Sequence, residues 1–91
     1  MFNPSAAQPA LRVAITGASS GIGLALTRHY LAQGAVVAAI ARRSELLQPL
    51  SAEFPNQVLC YPLDVRDTAA LQHMAQDFIA RVGCPDIVIA N

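Results

Sequence analysis

Ala35 to Ala41 reads AVVAAIA, seven apolar residues with no polar alternation, and no other feature of the chain narrows the fold so far. A strand with one wet face alternates apolar and polar residues. A strand covered on both faces does not, and such strands belong to parallel sheets flanked by helices. Three more short apolar runs share this character: LRVAIT (Leu11 to Thr16), QVLCYPL (Gln57 to Leu63) and DIVIA (Asp86 to Ala90). The segments between them have helical periodicity. Gly21 to Gln33 is expected to be a helix with Ile22, Ala25, Leu26 and Tyr30 on its apolar face and Gly34 at its end. Ser44 is expected to cap a helix through Leu46, Leu47 and Leu50, which Pro49 should kink or end early. Leu71, Met74, Ala75, Phe78, Ile79 and Val82 mark the clearest helix, with Asp67 or Thr68 as its cap and Gly83 at its end.

The order β-α-β-α-β-α-β specifies a parallel sheet with right-handed crossovers. The expected fold is α/β, a Rossmann-type three-layer αβα arrangement with strand order 3-2-1-4. In that order Cys60 and the segment after Cys84 lie at opposite edges. Three strand spacings of about 4.8 Å exceed the roughly 7 Å limit for a disulfide, so the two cysteines are expected to stay unpaired.

Composition bounds the rest. A hydrophobic fraction of 54% and a charged fraction of 13% suit an interior piece of something larger better than a free-standing module of 91 residues. The six basic residues are all arginine, and six acids balance them. That balance argues against a nucleic-acid or anionic-membrane partner, and the absence of lysine removes Schiff-base chemistry. No run approaches the roughly 20 apolar residues of a membrane span. The opening MFNPSAAQPA lacks the basic and apolar regions of a signal peptide. Residues 1–10 are therefore expected to be a disordered leader before a single unit over 11–91, in a cytoplasmic protein with reduced thiols. No metal-ligand spacing is present.

The stretch ITGASSGIGLAL (Ile15 to Leu26) sits at the first strand-to-helix corner. A phosphate-binding corner must turn sharply, let the anion approach the backbone, and present helix N-terminal N–H groups. Gly17, Gly21 and Gly23 fall where those demands lie, and Ser19 and Ser20 can add hydroxyl donors. An ordinary tight corner needs one glycine, not three. The same residues also spell G-x-S-x-G, the nucleophile elbow of α/β-hydrolases, with Ser19 as nucleophile, Asp64 or Asp67 as acid and His73 as base. An elbow, however, normally follows several strands, and here one precedes it.

TGASSGIG (Thr16 to Gly23) resembles the cofactor motif T-G-x-x-x-G-I-G of the short-chain dehydrogenase/reductase family at every defined position, Ile22 included. The resemblance runs from about Leu11 to the last residue. LDV (Leu63 to Val65) resembles the family's adenine-contacting step after strand three. VIAN resembles the start of its N-N-A-G motif, with Ala90 in place of the first Asn and Asn91 matching the second. The resemblance implies that Asp64 meets the adenine amino group, that the Val65 N–H meets the ring, and that Asn91 belongs to the cofactor site.

At the end of strand two, an acidic side chain would bind a ribose 2′-hydroxyl and repel a 2′-phosphate. This chain has Ala41 there, followed by Arg42 and Arg43. Guanidinium groups form charge-assisted, bidentate bonds to phosphate, so NADP(H) is expected over NAD(H), with Arg42 as main contact and Arg43 assisting. An arginine pair before a helix is otherwise usually a pair of solvated charges. Arg66, His29 and His73 receive no role.

In the family, a Tyr-x-x-x-Lys pair completes the chemistry downstream. Here Tyr30 is followed four positions later by Gly34 and Tyr61 by Val65, and no lysine exists. The chain is expected to carry the cofactor-binding half of an NADP(H)-dependent oxidoreductase, to stop within the strand-four motif, and to be inactive alone, with no catalytic residue assigned. The alternative is a non-catalytic nucleotide-binding module. A strand four left as a bare apolar edge is expected to promote self-association.

Overall fold

The structure, a computed structural model, describes residues 10–91. The expected leader, Ala10 apart, lies outside them. Four strands and three helices alternate: β1 (Arg12–Thr16), α1 (Gly21–Ala32), β2 (Val36–Ala41), α2 (Ser44–Glu53), β3 (Val58–Pro62), α3 (Thr68–Arg81) and β4 (Ile87–Ile89). The strands form one parallel sheet in the order β3-β2-β1-β4.

Each apolar run divides its side chains between the two sheet faces, as the pleat requires. Val13, Ile15, Val37, Ala39 and Ala41 pack with Leu31 of α1 and with Leu47 and Leu50 of α2. Ala14, Ala38 and Ile40 face the other way and pack with Met74 and Phe78 of α3. The result is three layers, with two helices on one face and α3 on the other. Cys60 and Cys84 are free thiols, as expected from their separation in the sheet, and burial pushes the Cys60 thiol up from its ordinary pKa.

Three expectations about the helices are corrected. The buried line of α1 is Gly23, Thr27 and Leu31, while Ile22 and Ala25 are exposed. Gly23 sits so close to the Gly17 carbonyl that the helix must turn this small side toward the sheet. Thr27 follows it inward because its hydroxyl donates to the Gly23 carbonyl at 2.7 Å, leaving no polar group unpaired. On α2, Ser44 is the first helical residue and not the cap; that position is Arg43, whose side chain makes no capping bond. The helix also continues past Pro49 to Glu53. Pro49 removes one helical donor, at a cost of about 3 kcal/mol. Burial of Leu47 and Leu50, each 1% exposed, offsets it at about 1.5–3 kcal/mol apiece. α3 begins as expected, with the Asp67 carboxylate accepting from the Ala70 N–H at 3.1 Å.

Among the described residues no helix is long and apolar enough to cross a membrane.

Candidate functional site

The carboxyl ends of β1, β2 and β3 open onto a cleft of about 690 Å³. Its walls include Thr16, Gly17, Ser19 and Ser20 from the first corner, Ala41 at the end of β2 with Arg42 and Arg43 beyond it, and Asp64 to Arg66 beyond β3. Asn91 closes the side next to β4. Ligands of open α/β sheets bind at this end of the strands.

The first corner is held from three directions. Gly17 lies in the left-handed region at φ 64°, a backbone conformation that disfavours any side chain. The Ala18 N–H donates to the Ile40 carbonyl at 3.1 Å, which fixes the loop to β2. The Asn91 side-chain amide donates to the Gly17 carbonyl at 3.3 Å, while its backbone N–H donates to the Thr16 hydroxyl at 3.0 Å. Gly23 lies behind the loop, and a Cβ there would strike the Gly17 carbonyl.

Helix α1 starts at this corner with its donors uncommitted. The Ser20 side chain makes no capping bond, and no acid stands in the first turn. Such an end favours an anion, because the first N–H groups of a helix have no partner within it. Gly21, at φ 57°, has open space where a side chain would stand. A phosphate has room to reach these donors, and the residues present therefore fit a dinucleotide's pyrophosphate.

The far end of the cleft is charged. Arg42, Arg43 and Arg66 all line it, and two of them, Arg42 and Arg66, stand beside one carboxylate, that of Asp64. Asp64 accepts from the Arg66 backbone N–H at 2.9 Å, from its Nε at 3.1 Å and from its Nη2 at 2.7 Å. Arg42 stands farther off, with Nη1 at 4.0 Å from Asp64 Oδ2 and a side chain 71% exposed. The hydrogen bonds from Arg66 hold the Asp64 carboxyl down at about 2, and the carboxylate pushes the Arg66 guanidinium up in turn.

Of the site residues read from the sequence, Gly17, Ser19, Ser20, Arg42, Arg43, Asp64, Val65 and Asn91 come together around the cleft. Gly21, Ile22 and Gly23 do not line it; Ile22 is 72% exposed. Two participants went unassigned. Thr16 joins the ends of β1 and β4 through its hydroxyl, and Arg66 grips Asp64. The second had a sequence signal, since an aspartate in a turn commonly bonds the backbone two residues on. The hydrolase arrangement does not assemble. His73 lines a separate groove with Tyr61 and Asp77, while Ser19 faces the cleft. Asp67 caps α3.

Residues 12–91 match the family described as short chain dehydrogenase. The chain belongs to that family. A fatty acyl-CoA reductase of Mycobacterium tuberculosis is 36% identical over an alignment that takes in 100% of this chain and 33% of that protein. The NADP-dependent 3-hydroxy acid dehydrogenase YdfG of Escherichia coli K12 is 38% identical over 87% of this chain and 32% of its own. Among solved structures, a short-chain dehydrogenase from Streptomyces avermitilis superposes with a TM-score of 0.83 at 38% identity, covering 87% of this chain and 29% of that one. L-sorbose reductase from Gluconobacter frateurii, complexed with NADPH and L-sorbose, superposes with a TM-score of 0.76 at 28% identity, over 88% and 32%. This short-chain dehydrogenase chain thus spans about a third of the length of the curated relatives it matches.

Proposed function

We propose that this chain binds the adenosine end and pyrophosphate of NADP(H) in the cleft, as the cofactor-binding part of an oxidoreductase that interconverts a carbonyl and an alcohol. The observation that carries the reading is the trio Ala41, Arg42 and Arg43 on the cleft wall, where β2 ends in an alanine followed by two guanidiniums and not in an acid. Arg42 takes that phosphate, with Arg43 assisting. The backbone of Gly17 to Gly23 and the hydroxyls of Ser19 and Ser20 hold the pyrophosphate at the start of α1. Gly23, behind the cleft, sets the helix against the loop, and Ile22, the motif's apolar position, lies outside the cleft. Asp64 accepts from the adenine amino group, the Val65 N–H donates to the ring, and Asn91 keeps the corner in place. When bound, the cofactor supplies or accepts hydride at its nicotinamide. The 91 residues contain no lysine and so no Tyr-x-x-x-Lys pair; the chain by itself binds without turnover.

Calorimetric titration of the chain with 2′,5′-ADP and with 5′-AMP tests the reading. The expected result is at least about tenfold tighter binding of 2′,5′-ADP, since a charge-assisted bond contributes about 1.5–3 kcal/mol. Arg42→Ala removes that preference. Equal affinities for the wild-type chain would sink the assignment.

Self-association is part of the same proposal. β4 is an edge strand of three residues whose Val88 is 68% exposed, and an apolar hollow beside it is lined by Phe78, Ile79, Pro85 and Val88. Sedimentation velocity is expected to show dimers or larger species at micromolar concentration, and Val88→Glu to shift them to monomer. A wild-type chain that sediments as a single monomer contradicts this.

A further inference from the structure

Two guanidiniums compete for one carboxylate at the adenosine end of the cleft, and they hold it unequally. Arg66 grips Asp64 through a fork, with Nη2 at 2.7 Å and Nε at 3.1 Å, and adds its backbone N–H at 2.9 Å. Arg42 reaches the same carboxylate only at 4.0 Å. Any anion recruited by Arg42 therefore stands in the field of Asp64, whose charge repels it and also draws Arg42 away. We infer that Arg66 is a specificity-determining counter-ion: by neutralising Asp64 it releases Arg42 for a 2′-phosphate.

Three features of the geometry point this way. The fork leaves neither Asp64 oxygen free of Arg66. The guanidinium is 78% exposed at its side chain and packs into no core, so it carries no burden of stability there. Arg42, also largely exposed, makes no shorter contact with a carboxylate among the described residues. If Arg66 were absent, Asp64 would keep its charge and Arg42 would be the nearest cation. A residue chosen to admit a 2′-phosphate would then be spent on an acid of its own chain. Arg66 is thus a positioning residue, acting through Asp64, and distinct from the arginines that meet the ligand.

The inference rests on the NADP(H) reading of the cleft, and its test separates the two. Affinities for 2′,5′-ADP and 5′-AMP are measured by calorimetry at low ionic strength for wild type, Arg66→Ala, Arg66→Lys and the double variant Arg66→Ala, Asp64→Asn. The readout is the ratio of the two affinities. Both ligands carry adenine, so a lost adenine contact cancels from that ratio. Arg66→Ala is expected to lower the preference for 2′,5′-ADP about fivefold, the size of one unscreened surface charge pair. Arg66→Lys keeps the charge and is expected to retain most of the preference. The double variant is expected to regain it, because the charge that Arg66 neutralised has gone. Salt should shrink the loss, as it screens exposed charges.

A wild-type chain without preference overturns the NADP(H) reading and this inference with it. A preference that survives Arg66→Ala overturns the inference alone. A preference lost in Arg66→Ala and still lost in the double variant also overturns it, since Arg66 would then be touching the phosphate itself.

Discussion

Replacing Gly23 by alanine is expected to abolish binding of 2′,5′-ADP within the range of calorimetry and to lower the melting temperature by about 10–20 °C. The new methyl group would strike the Gly17 carbonyl, with the Gly17 carbonyl carbon at 2.8 Å and the Asn91 amide nitrogen at 2.6 Å. A side-chain amide can rotate away, but a backbone carbonyl moves only with its loop. That loop is held at Ala18 by the Ile40 carbonyl and at Gly17 by Asn91, so it has little slack. Forced overpacking of this kind costs about 1–3 kcal/mol, and in a domain of this size each kcal/mol is about 4–8 °C. Binding is expected to suffer more than stability, because the displaced atoms are those that shape the corner proposed to hold the pyrophosphate. Gly34→Ala is the matched control. Gly34 has φ 87° and open space around its Cβ position, at the far end of α1. It should lose about 1 kcal/mol through backbone strain and bind 2′,5′-ADP as wild type does. Circular dichroism melts beside titrations separate the two; wild-type affinity in Gly23→Ala overturns the account.

The strands of this protein were legible because each is a short run of apolar residues without polar alternation, a pattern the helical segments do not share. The runs around Val13, Val37, Val58 and Val88 give the number of strands, and their alternation with helical segments gives the parallel arrangement. The face of α1 was not legible by the same means. Counting apolar letters selects Ile22 and Ala25, but the helix is oriented by Gly23, which has no side chain, and by Thr27, whose polar group satisfies itself. Close approach of two backbones decides that orientation, and hydropathy carries no record of it. The end of α2 went astray for a related reason. Pro49 is a local penalty, and Leu47 and Leu50 outweigh it through contacts with the sheet that the segment does not contain.

The site shows the same division. Residues read from a tight turn or from a fixed step past a strand, such as Gly17 and Arg42, reach the cleft by position alone. Arg66 and Thr16 act on other residues of the framework. Arg66 matters through Asp64, and Thr16 through Asn91, which lies 75 positions away. Pairings at that range appear only when the strands are placed side by side. The cleft is thus a product of register: β1 beside β4 brings Asn91 to Gly17, and β2 beside β3 brings Arg42 to Asp64.

That dependence on register predicts a second large effect, far from the cleft. Phe78→Ala is expected to destabilise the chain by about 3–5 kcal/mol, a large part of the 5–15 kcal/mol available to a typical domain. Phe78 is 1% exposed and is the largest fully buried side chain between α3 and the sheet. The sheet face opposite it is built from the small residues Ala14 and Ala38, with Ile40 beside them. Small residues cannot close over the space a phenyl ring leaves, so the cavity term is added nearly whole to the lost burial. Met74 is then the other buried anchor of the helix. Ile79, the next residue along α3, is 46% exposed, and Ile79→Ala should cost less than about 1 kcal/mol. Urea unfolding followed by circular dichroism gives both values. With α3 loosened, the segment from Asp64 to Asp67 that leads into it loses its anchor, so affinity for 5′-AMP is expected to fall as well. Equal urea midpoints for Phe78→Ala and Ile79→Ala would show that α3 is not fastened to the sheet through this ring.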